Sequence, residues 1–236
     1  MKIGIMQPYL FPYLGYFQLL NIVDKFIVYD DVKYVKSGWI NRNRIAMQDE
    51  WQWLTIPIKG DSDYLNISNR FLSDDYLKHN QKSLNRIKNE YKDSPHFDTI
   101  YPILANILNY ENNNLFSYLL NSISMLKELL NIGTPLSISS KLEESHQTIN
   151  LKGQDKVLNI CLVSKAKTYF NPIGGVDLYS KEVFREKGID LKFLQMQQIN
   201  YHRQNRPYIP SLSIIDVLFF LGIDDTIKSL NKFELF

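Results

Sequence analysis

Two carboxylates, two guanidinium groups, two amides and one indole lie within fifteen residues of the chain. They are Asp30, Asp31, Trp39, Asn41, Arg42, Asn43 and Arg44. A folding core does not require this mixture, whereas a site for an anionic, hydroxyl-rich ligand does. Guanidinium groups bind phosphate or carboxylate oxygens in a bidentate manner, and amides hydrogen-bond to sugar or base edges. The segment therefore predicts a binding site for such a ligand.

The arginines are the strongest candidates for contacting the ligand. Alternation along a strand places Arg42 and Arg44 on one face and Asn41 and Asn43 on the other. We expect both arginines to hold a diphosphate and Trp39 to stack on a sugar or a base. The alternatives are a solvated basic edge for the arginines and a core position for the tryptophan.

The elements before this segment predict where it lies in the fold. Two short apolar runs, at residues 3–6 and 26–29, flank a helix-forming segment. This is the pattern of a βαβ unit, and ligands bind beyond the carboxyl ends of its parallel strands. Gln7 follows the first run, and Asp30 and Asp31 follow the second, so we expect all three at the site. Asp31 is also a candidate catalytic proton acceptor. The alternatives for the acidic pair are a magnesium site and a turn or helix cap.

The whole pattern predicts an α/β fold with a mainly parallel, Rossmann-like sheet, flanking helices and a helical insertion. We expect an N-terminal α/β half at residues 1–74 and a helical insertion or subdomain at 75–131. A C-terminal half at 132–236 is expected to complete the same sheet. Further predictions are a strand at 51–58 that follows a hairpin turn, and a short edge strand at 64–70.

Two turns in the C-terminal half supply further polar candidates. Lys152 and Asp155 come at the start of a predicted helix, where they are expected to contact a phosphate and a ligand hydroxyl group. The alternative for Asp155 is a helix cap. Asn171 ends a predicted strand and is followed by Gly174 and Gly175, which let the backbone approach a ligand closely. A plain turn is the competing interpretation.

Two ionisable groups inside predicted helices need an explanation. His79 is a candidate general base because imidazole titrates near neutral pH, and an exposed or structural histidine is the alternative. The four histidines show no metal-ligand spacing, so we expect no protein metal site. Asp216 lies in an apolar helix that is predicted to begin at Ser211 or Ser213. Its burial requires a partner, such as an arginine of the 42–44 tract.

The length, the net charge and the cysteine count exclude several classes of protein. The chain has 236 residues, a formal net charge of +2 and a single cysteine, Cys161. The near-neutral charge argues against nucleic acid as a partner, and one cysteine excludes an internal disulfide. Cys161 lies in an apolar run, which predicts a buried thiol. The sequence shows neither a signal peptide nor an apolar run long enough to span a membrane, so we expect a cytoplasmic protein.

Blocks along nearly the whole chain resemble the WbqC-like family, found among bacterial genes for O-antigen and other surface polysaccharides. The blocks are residues 6–17, 30–32, 39–45, 53–57, 94–97, 152–155, 169–179 and 212–218, with single matches at His79 and Tyr91, and the first two blocks are specific. His96 departs from the family pattern, which has an aromatic tyrosine at this place. A weaker likeness is to HIGH-type nucleotidyltransferases, with Tyr13 and Tyr16 standing where those enzymes carry histidines.

The resemblance implies an enzyme of O-antigen or lipopolysaccharide biosynthesis. We expect it to transfer an acyl or aminoacyl group to the amine of a nucleotide-linked sugar, with Tyr9, Tyr13 and Tyr16 stacking on the base or the sugar. One alternative is a non-catalytic subunit that binds a nucleotide-linked sugar. The other is an ATP-using nucleotidyltransferase or adenylate-forming amide synthetase. The use of ATP or Mg²⁺ and the oligomeric state stay open.

Overall fold

The structure of the protein, a computed structural model, describes residues 1–142, 151–201, 203 and 207–236. The described residues form eight strands and seven α-helices. The strands are β1 (Lys2–Met6), β2 (Lys25–Val28), β3 (Arg42–Met47), β4 (Glu50–Thr55), β5 (Leu136–Ile138), β6 (Thr168–Pro172), β7 (Asp190–Met196) and β8 (Phe233–Leu235). The helices are α1 (Leu14–Ile22), α2 (Tyr76–Tyr91), α3 (Phe97–Leu108), α4 (Leu115–Leu129), α5 (Gly153–Val163), α6 (Lys181–Glu186) and α7 (Ile214–Ser229).

The main sheet has six strands in the order β5-β2-β1-β6-β7-β8. Its neighbouring strands are parallel except for the last pair, in which β8 runs antiparallel to β7. Parallel strands need crossover connections, and α1, α5 and α6 lie in those from β1 to β2, from β5 to β6 and from β6 to β7. Because this is the strand order of a Rossmann-like fold, the predicted fold class is confirmed.

The central strands have side chains buried on both faces of the sheet, which explains their continuous apolar sequence. Ile3, Ile5 and Ile27 pack on one face in a cluster with side chains of α5 and α6. Phe26 and Val28 point to the other face and belong to a larger cluster with α1 and α7. The domain core is therefore built in three layers, with helices on both sides of the sheet.

The predicted helical insertion contains α2, α3 and α4, between β4 and β5. The helical pattern of residues 75–131 is thus confirmed. The buried side chains of these three helices belong to the same hydrophobic cluster as those of α1 and α7. Whether residues 75–131 form a separable subdomain stays a prediction.

A second, two-stranded sheet is formed by β3 and β4, which pair antiparallel from Arg42↔Thr55 to Met47↔Glu50. This hairpin was predicted, although β4 ends at residue 55 and not at 58. The short edge strand predicted at 64–70 is wrong, because the segment contains a 3₁₀ turn at Ile67–Asn69. The buried guanidinium of Arg70 donates to two loop carbonyls, and these bonds favour a compact loop over an extended strand.

Ser213, one of the two predicted caps, is the N-cap of α7, and its hydroxyl accepts a hydrogen bond from the N–H of Ile215. The helix is kinked at Gly222, which has a φ of 74°. A Cβ at this position would lie 2.7 Å from the ring of His96, so the imidazole occupies the space that a larger residue would need. His96 therefore has a packing role at the kink.

A buried polar network is centred on Asp216 of α7. Its carboxylate accepts hydrogen bonds from the hydroxyls of Tyr91 at 3.0 Å and Tyr201 at 2.6 Å, and from Nε of Arg203 at 3.2 Å. The expectation that Asp216 pairs with an arginine is confirmed. The partner is Arg203, however, and not an arginine of the 42–44 tract.

Two predictions from composition concern the single cysteine and the membrane-spanning helices. Cys161 is buried as predicted, and burial raises the pKa of its thiol. In the described ranges, no helix combines the length and the apolar character needed to cross a bilayer.

Candidate functional site

The strand order marks one edge of the main sheet as the expected ligand site. From β1 the chain continues to β2 and β5 on one side of the sheet. From β6 it continues to β7 and β8 on the other side, so the direction in which strands are added reverses between the neighbours β1 and β6. Ligands bind beyond the carboxyl ends of the strands at such a switch point. Residues 7–13 follow β1, residues 29–31 follow β2, and residues 171–179 end and follow β6. We call these three segments together the switch-point edge.

Half-buried tyrosines from all three segments meet at this edge. Burial raises the pKa of Tyr9 to about 12, with smaller contributions from Tyr13 and Tyr179. Burial also raises the pKa of Tyr29, and Asp31 and Tyr179 add to the shift. These electrostatic interactions show that the phenol groups lie near one another. A phenol is protonated at neutral pH even at its ordinary pKa of about 10, and burial raises these pKa values further, so the groups can donate hydrogen bonds to a ligand.

Asp30 is buried at the end of β2 and has a structural environment. One carboxylate oxygen accepts from the backbone N–H of Ser140 at 3.0 Å, and the other lies 2.7 Å from the Ser140 hydroxyl. The Ser139 hydroxyl lies 2.9 Å from the first oxygen. These contacts join the carboxyl ends of β2 and β5, and they leave Asp30 little capacity for a ligand.

Asp31 is more exposed and pairs with Lys156 from the first turn of α5. The Nζ of Lys156 lies 2.7 Å from Oδ2 of Asp31 and donates to its backbone carbonyl, also at 2.7 Å. The lysine side chain is only 9% exposed, against 19% for Asp31, and its ammonium group lies over the ring of Tyr29. The sequence reasoning missed Lys156. The available signal was a lysine on the apolar side of the predicted helix, a position where a charge needs a partner.

The N-termini of α1 and α5 also lie at this edge, because crossover helices run antiparallel to the strands they connect. Tyr13 and Lys152 hold the two N-cap positions, and neither helix has a side-chain cap. Asp155 lies exposed in the first turn of α5 and is not its cap. Uncapped helix N-termini favour anions through their free N–H groups and the helix dipole.

The turn after β6 is packed closely against the strand end. Asn171 is buried and donates from Nδ2 to the hydroxyl of Tyr169 at 2.6 Å. A Cβ at Gly175 would lie 2.0 Å from Oδ1 of Asn171, so only glycine fits there without displacement. Gly174 is exposed and has open space around it. The backbone at Gly174 is therefore the accessible part of this predicted cradle.

The two asparagines of the 41–44 tract point into the protein. Asn41 accepts from the hydroxyl of Tyr34 and donates to a backbone carbonyl of the loop after β4. Asn43 donates from Nδ2 to the carbonyls of Leu10 at 3.1 Å and Phe11 at 2.9 Å. Asn43 thus fixes the loop that carries Tyr9, and its described contacts are structural.

Arg42 and Arg44 lie on the opposite, half-exposed face of the hairpin, as the strand alternation predicted. The guanidinium of Arg42 stacks on Trp53, and that of Arg44 lies over Trp51 and the exposed Trp39. The described contacts of these arginines include no residue of the switch-point edge. The binding of a diphosphate by this tract stays a prediction.

The remaining predicted site residues are separated in the structure. Gln7 is half-buried directly after β1, within the switch-point edge. Tyr16 is fully buried and packs against the rings of Tyr9 and Phe26. His79 lies exposed on α2, and its imidazole is 3.2 Å from the carboxylate of Asp75 four residues earlier. A catalytic role for His79 stays a prediction.

Cavities and groups of possible metal ligands are two further kinds of site in this structure. The cavity that Tyr13 lines has a volume of about 20 Å³, too small for a sugar ring. Larger cavities, of about 510 and 250 Å³, lie along β5 and beside α6, and no tyrosine of the switch-point edge lines them. The residues that are described contain no group of three side chains able to hold a metal ion.

Comparisons with known proteins cover nearly the whole chain. The WbqC-like protein family matches residues 7–228. The uncharacterized protein Rv1507c of Mycobacterium tuberculosis is 31% identical over 228 residues, which cover 94% of this chain and 95% of the relative. No solved structure shows a significant match.

Proposed function

The chain belongs to the WbqC-like protein family, and we propose that it is an enzyme of bacterial surface-glycan biosynthesis. The proposed reaction is the transfer of an acyl or aminoacyl group to the amine of a nucleotide-linked sugar. The observation that supports it best is the meeting, at one switch point, of protonated phenols, the Asp31–Lys156 pair and two uncapped helix N-termini. Each of these groups suits one part of such a substrate.

The diphosphate of the substrate is proposed to lie at the N-termini of α1 and α5 instead of at Arg42 and Arg44, whose described contacts include no residue of this edge. The exposed ammonium of Lys152 provides a further positive charge. Tyr9, Tyr13 and Tyr29 then donate hydrogen bonds to sugar or ribose hydroxyls. The sugar amine is proposed to lie beside Asp31, because the carboxyl end of β2 borders the expected ligand site of a Rossmann-like fold. The nucleotide thus spans the reversal in strand order.

The transfer step uses Asp31 as the proton acceptor. The amine nitrogen attacks the carbonyl carbon of an activated acyl donor, such as a thioester or an acyl adenylate. A C–N bond forms, the bond from that carbon to the donor's leaving group breaks, and the amine proton passes to Asp31. Lys156 holds the carboxylate in place through its contact of 2.7 Å. The proposed step does not use His79, whose described contact is Asp75 on the exposed side of α2.

The test is a mass measurement on the product. The protein is incubated with a nucleotide-linked amino sugar, acyl thioesters, or amino acids with ATP. We expect the sugar to gain the mass of one acyl group. The Asp31→Asn variant should lose at least about 100-fold in rate, within the usual contribution of a general base. Asp63→Asn is the matched control, because Asp63 is exposed and pairs with Lys36 away from this edge. Equal rates for both variants would remove Asp31 from the reaction.

A non-catalytic subunit that binds the same ligand is the second candidate. It is favoured by the full engagement of Asp31, whose two carboxylate oxygens already contact Ser139 and Lys156. This candidate predicts thermal stabilisation by nucleotide-linked sugars without any product from any donor. The absence of both product and stabilisation would contradict both functions.

A further inference from the structure

All three tryptophans of the chain lie together on one side of the β3–β4 hairpin. The ring centroids of Trp39 and Trp53 are 5.2 Å apart, and those of Trp51 and Trp53 are also 5.2 Å apart. Trp39 is 38% exposed and Trp51 is 41% exposed. A group of large aromatic side chains that remains accessible to solvent is a recurrent sign of a binding surface.

Two arginines are interleaved with these rings. The guanidinium carbon of Arg42 lies 4.2 Å from the ring centroid of Trp53. That of Arg44 lies 5.2 Å from Trp39 and 5.3 Å from Trp51. Stacking of this kind orients a guanidinium group while leaving its N–H donors at the edge of the plane. We call Trp39, Arg42, Arg44, Trp51 and Trp53 the tryptophan–arginine ladder.

The positive charges of the ladder are positioned but not neutralised by their described contacts. Arg42 donates to the backbone carbonyls of Ser37 at 2.6 Å and Gly38 at 3.0 Å, and Arg44 donates to that of Ser211 at 3.1 Å. Carbonyls and indoles carry no full negative charge. A guanidinium group also has more N–H donors than these contacts use. The ladder therefore offers fixed cationic donors beside apolar rings, at a low entropic cost of binding.

We propose that the tryptophan–arginine ladder binds an acidic oligosaccharide. Its sugar rings pack their C–H faces on the indoles, and its carboxylates accept paired hydrogen bonds from Arg42 and Arg44. No described hydrogen bond or ring contact of the ladder side chains involves the switch-point edge, and this proposal does not depend on the proposed function. Charge complementarity favours an acidic sugar over a neutral one. A nucleic acid is disfavoured because a net charge of +2 provides no extended basic groove.

Intrinsic fluorescence tests this site selectively, because all tryptophan emission of the protein comes from the ladder. The full chain is titrated with a hexasaccharide that contains uronic acid, with a neutral hexasaccharide, with single-stranded DNA, and with anionic phospholipid vesicles. We expect a saturable change with the acidic hexasaccharide and at least about 10-fold weaker binding of the neutral one, since one charge-assisted pair is worth more than about 1.4 kcal/mol. No response to the acidic sugar, or a tighter response to DNA or vesicles, overturns the proposal.

Variants then assign the binding to the ladder. The double variant Arg42→Gln/Arg44→Gln should lose the response, whereas Arg185→Gln, on the exposed surface of α6, should keep it. Far-ultraviolet circular dichroism checks that each variant is folded. If the double variant unfolds, Trp51→Leu decides, because it leaves the three arginine–carbonyl contacts in place. Unchanged affinity in the folded variant would show that the ladder only stabilises the hairpin.

Discussion

Replacement of Arg203 by methionine is expected to cost a large part of the stability of the protein. Arg203 and Asp216 form an ion pair in which both side chains are 0% exposed. Methionine removes the cation and leaves the Asp216 carboxylate with the hydroxyls of Tyr91 and Tyr201 as its described donors. Breaking a buried pair in this way costs about 3–5 kcal/mol, because one charge stays buried without compensation. For a chain of this size the midpoint of thermal unfolding should fall by about 6–20 °C.

The loss should also depend on pH, with a defined sign. Burial raises the pKa of Asp216, and Arg203 and the two tyrosines oppose that rise. A carboxyl group with a raised pKa in the folded state favours folding at low pH, and this contribution is lost as the pH rises through the raised pKa. Removal of Arg203 raises the pKa further. The deficit of the variant should therefore be smallest near pH 5 and should grow towards pH 8.

Urea denaturation of both proteins between pH 5 and pH 8 measures this deficit. The double variant Arg203→Met/Asp216→Asn is the control, because it has no carboxyl group to titrate at this site. The free energy of unfolding of this double variant should carry no pH dependence from this site over the same range. A deficit of Arg203→Met below about 1 kcal/mol, the value for an exposed pair, would refute the reasoning, as would equal deficits at both ends of the pH range.

Three further substitutions have defined outcomes. Asn43→Ala removes the donor for two loop carbonyls and should lower the free energy of unfolding by about 1–3 kcal/mol in urea denaturation; a neutral effect would show that the loop is held otherwise. Gly222→Ala forces a Cβ against the ring of His96 at a residue with a positive φ, so it should lower the midpoint of thermal unfolding. The double variant Gly222→Ala/His96→Gly should recover only the part of this loss that the clash with the ring causes. Gly175→Ala must displace Asn171 and should weaken binding of a nucleotide-linked sugar at least about 10-fold by calorimetry; unchanged affinity would remove the turn from the site.

Much of the fold follows from local sequence, because the central parallel strands read as continuous apolar runs. Residues 3–6 and 26–29 were recognised for this reason, and Ser213 was recognised as a candidate helix cap. The 3₁₀ turn at Ile67–Asn69 was missed, because an alternating pattern there concealed a buried arginine. The partner of Asp216 was misplaced for a different reason. Arg203 lies in a segment without periodicity, so only the tertiary structure brings it to α7.

From the sequence, the candidate site could be predicted only for residues that lie at the end of a recognised strand. Gln7, Asp31 and Asn171 could be placed at strand ends, and parallel strands bring their carboxyl ends to one edge. Lys156 and Tyr179 were not recognised as site residues, since their approach to the edge depends on the order of the strands in the sheet. That order is set by packing between distant segments, which a single sequence does not specify.

The central claim is that a nucleotide-linked ligand lies across the reversal in strand order between β1 and β6. A crystal structure of the protein with a bound nucleoside diphosphate sugar tests this most directly. The account predicts diphosphate density within hydrogen-bonding distance of the first turn of α1 or α5, with the sugar next to Asp31 and the sugar or the ribose next to Tyr9. Diphosphate density on the outer face of the β3–β4 hairpin, with the switch-point edge empty, would contradict it.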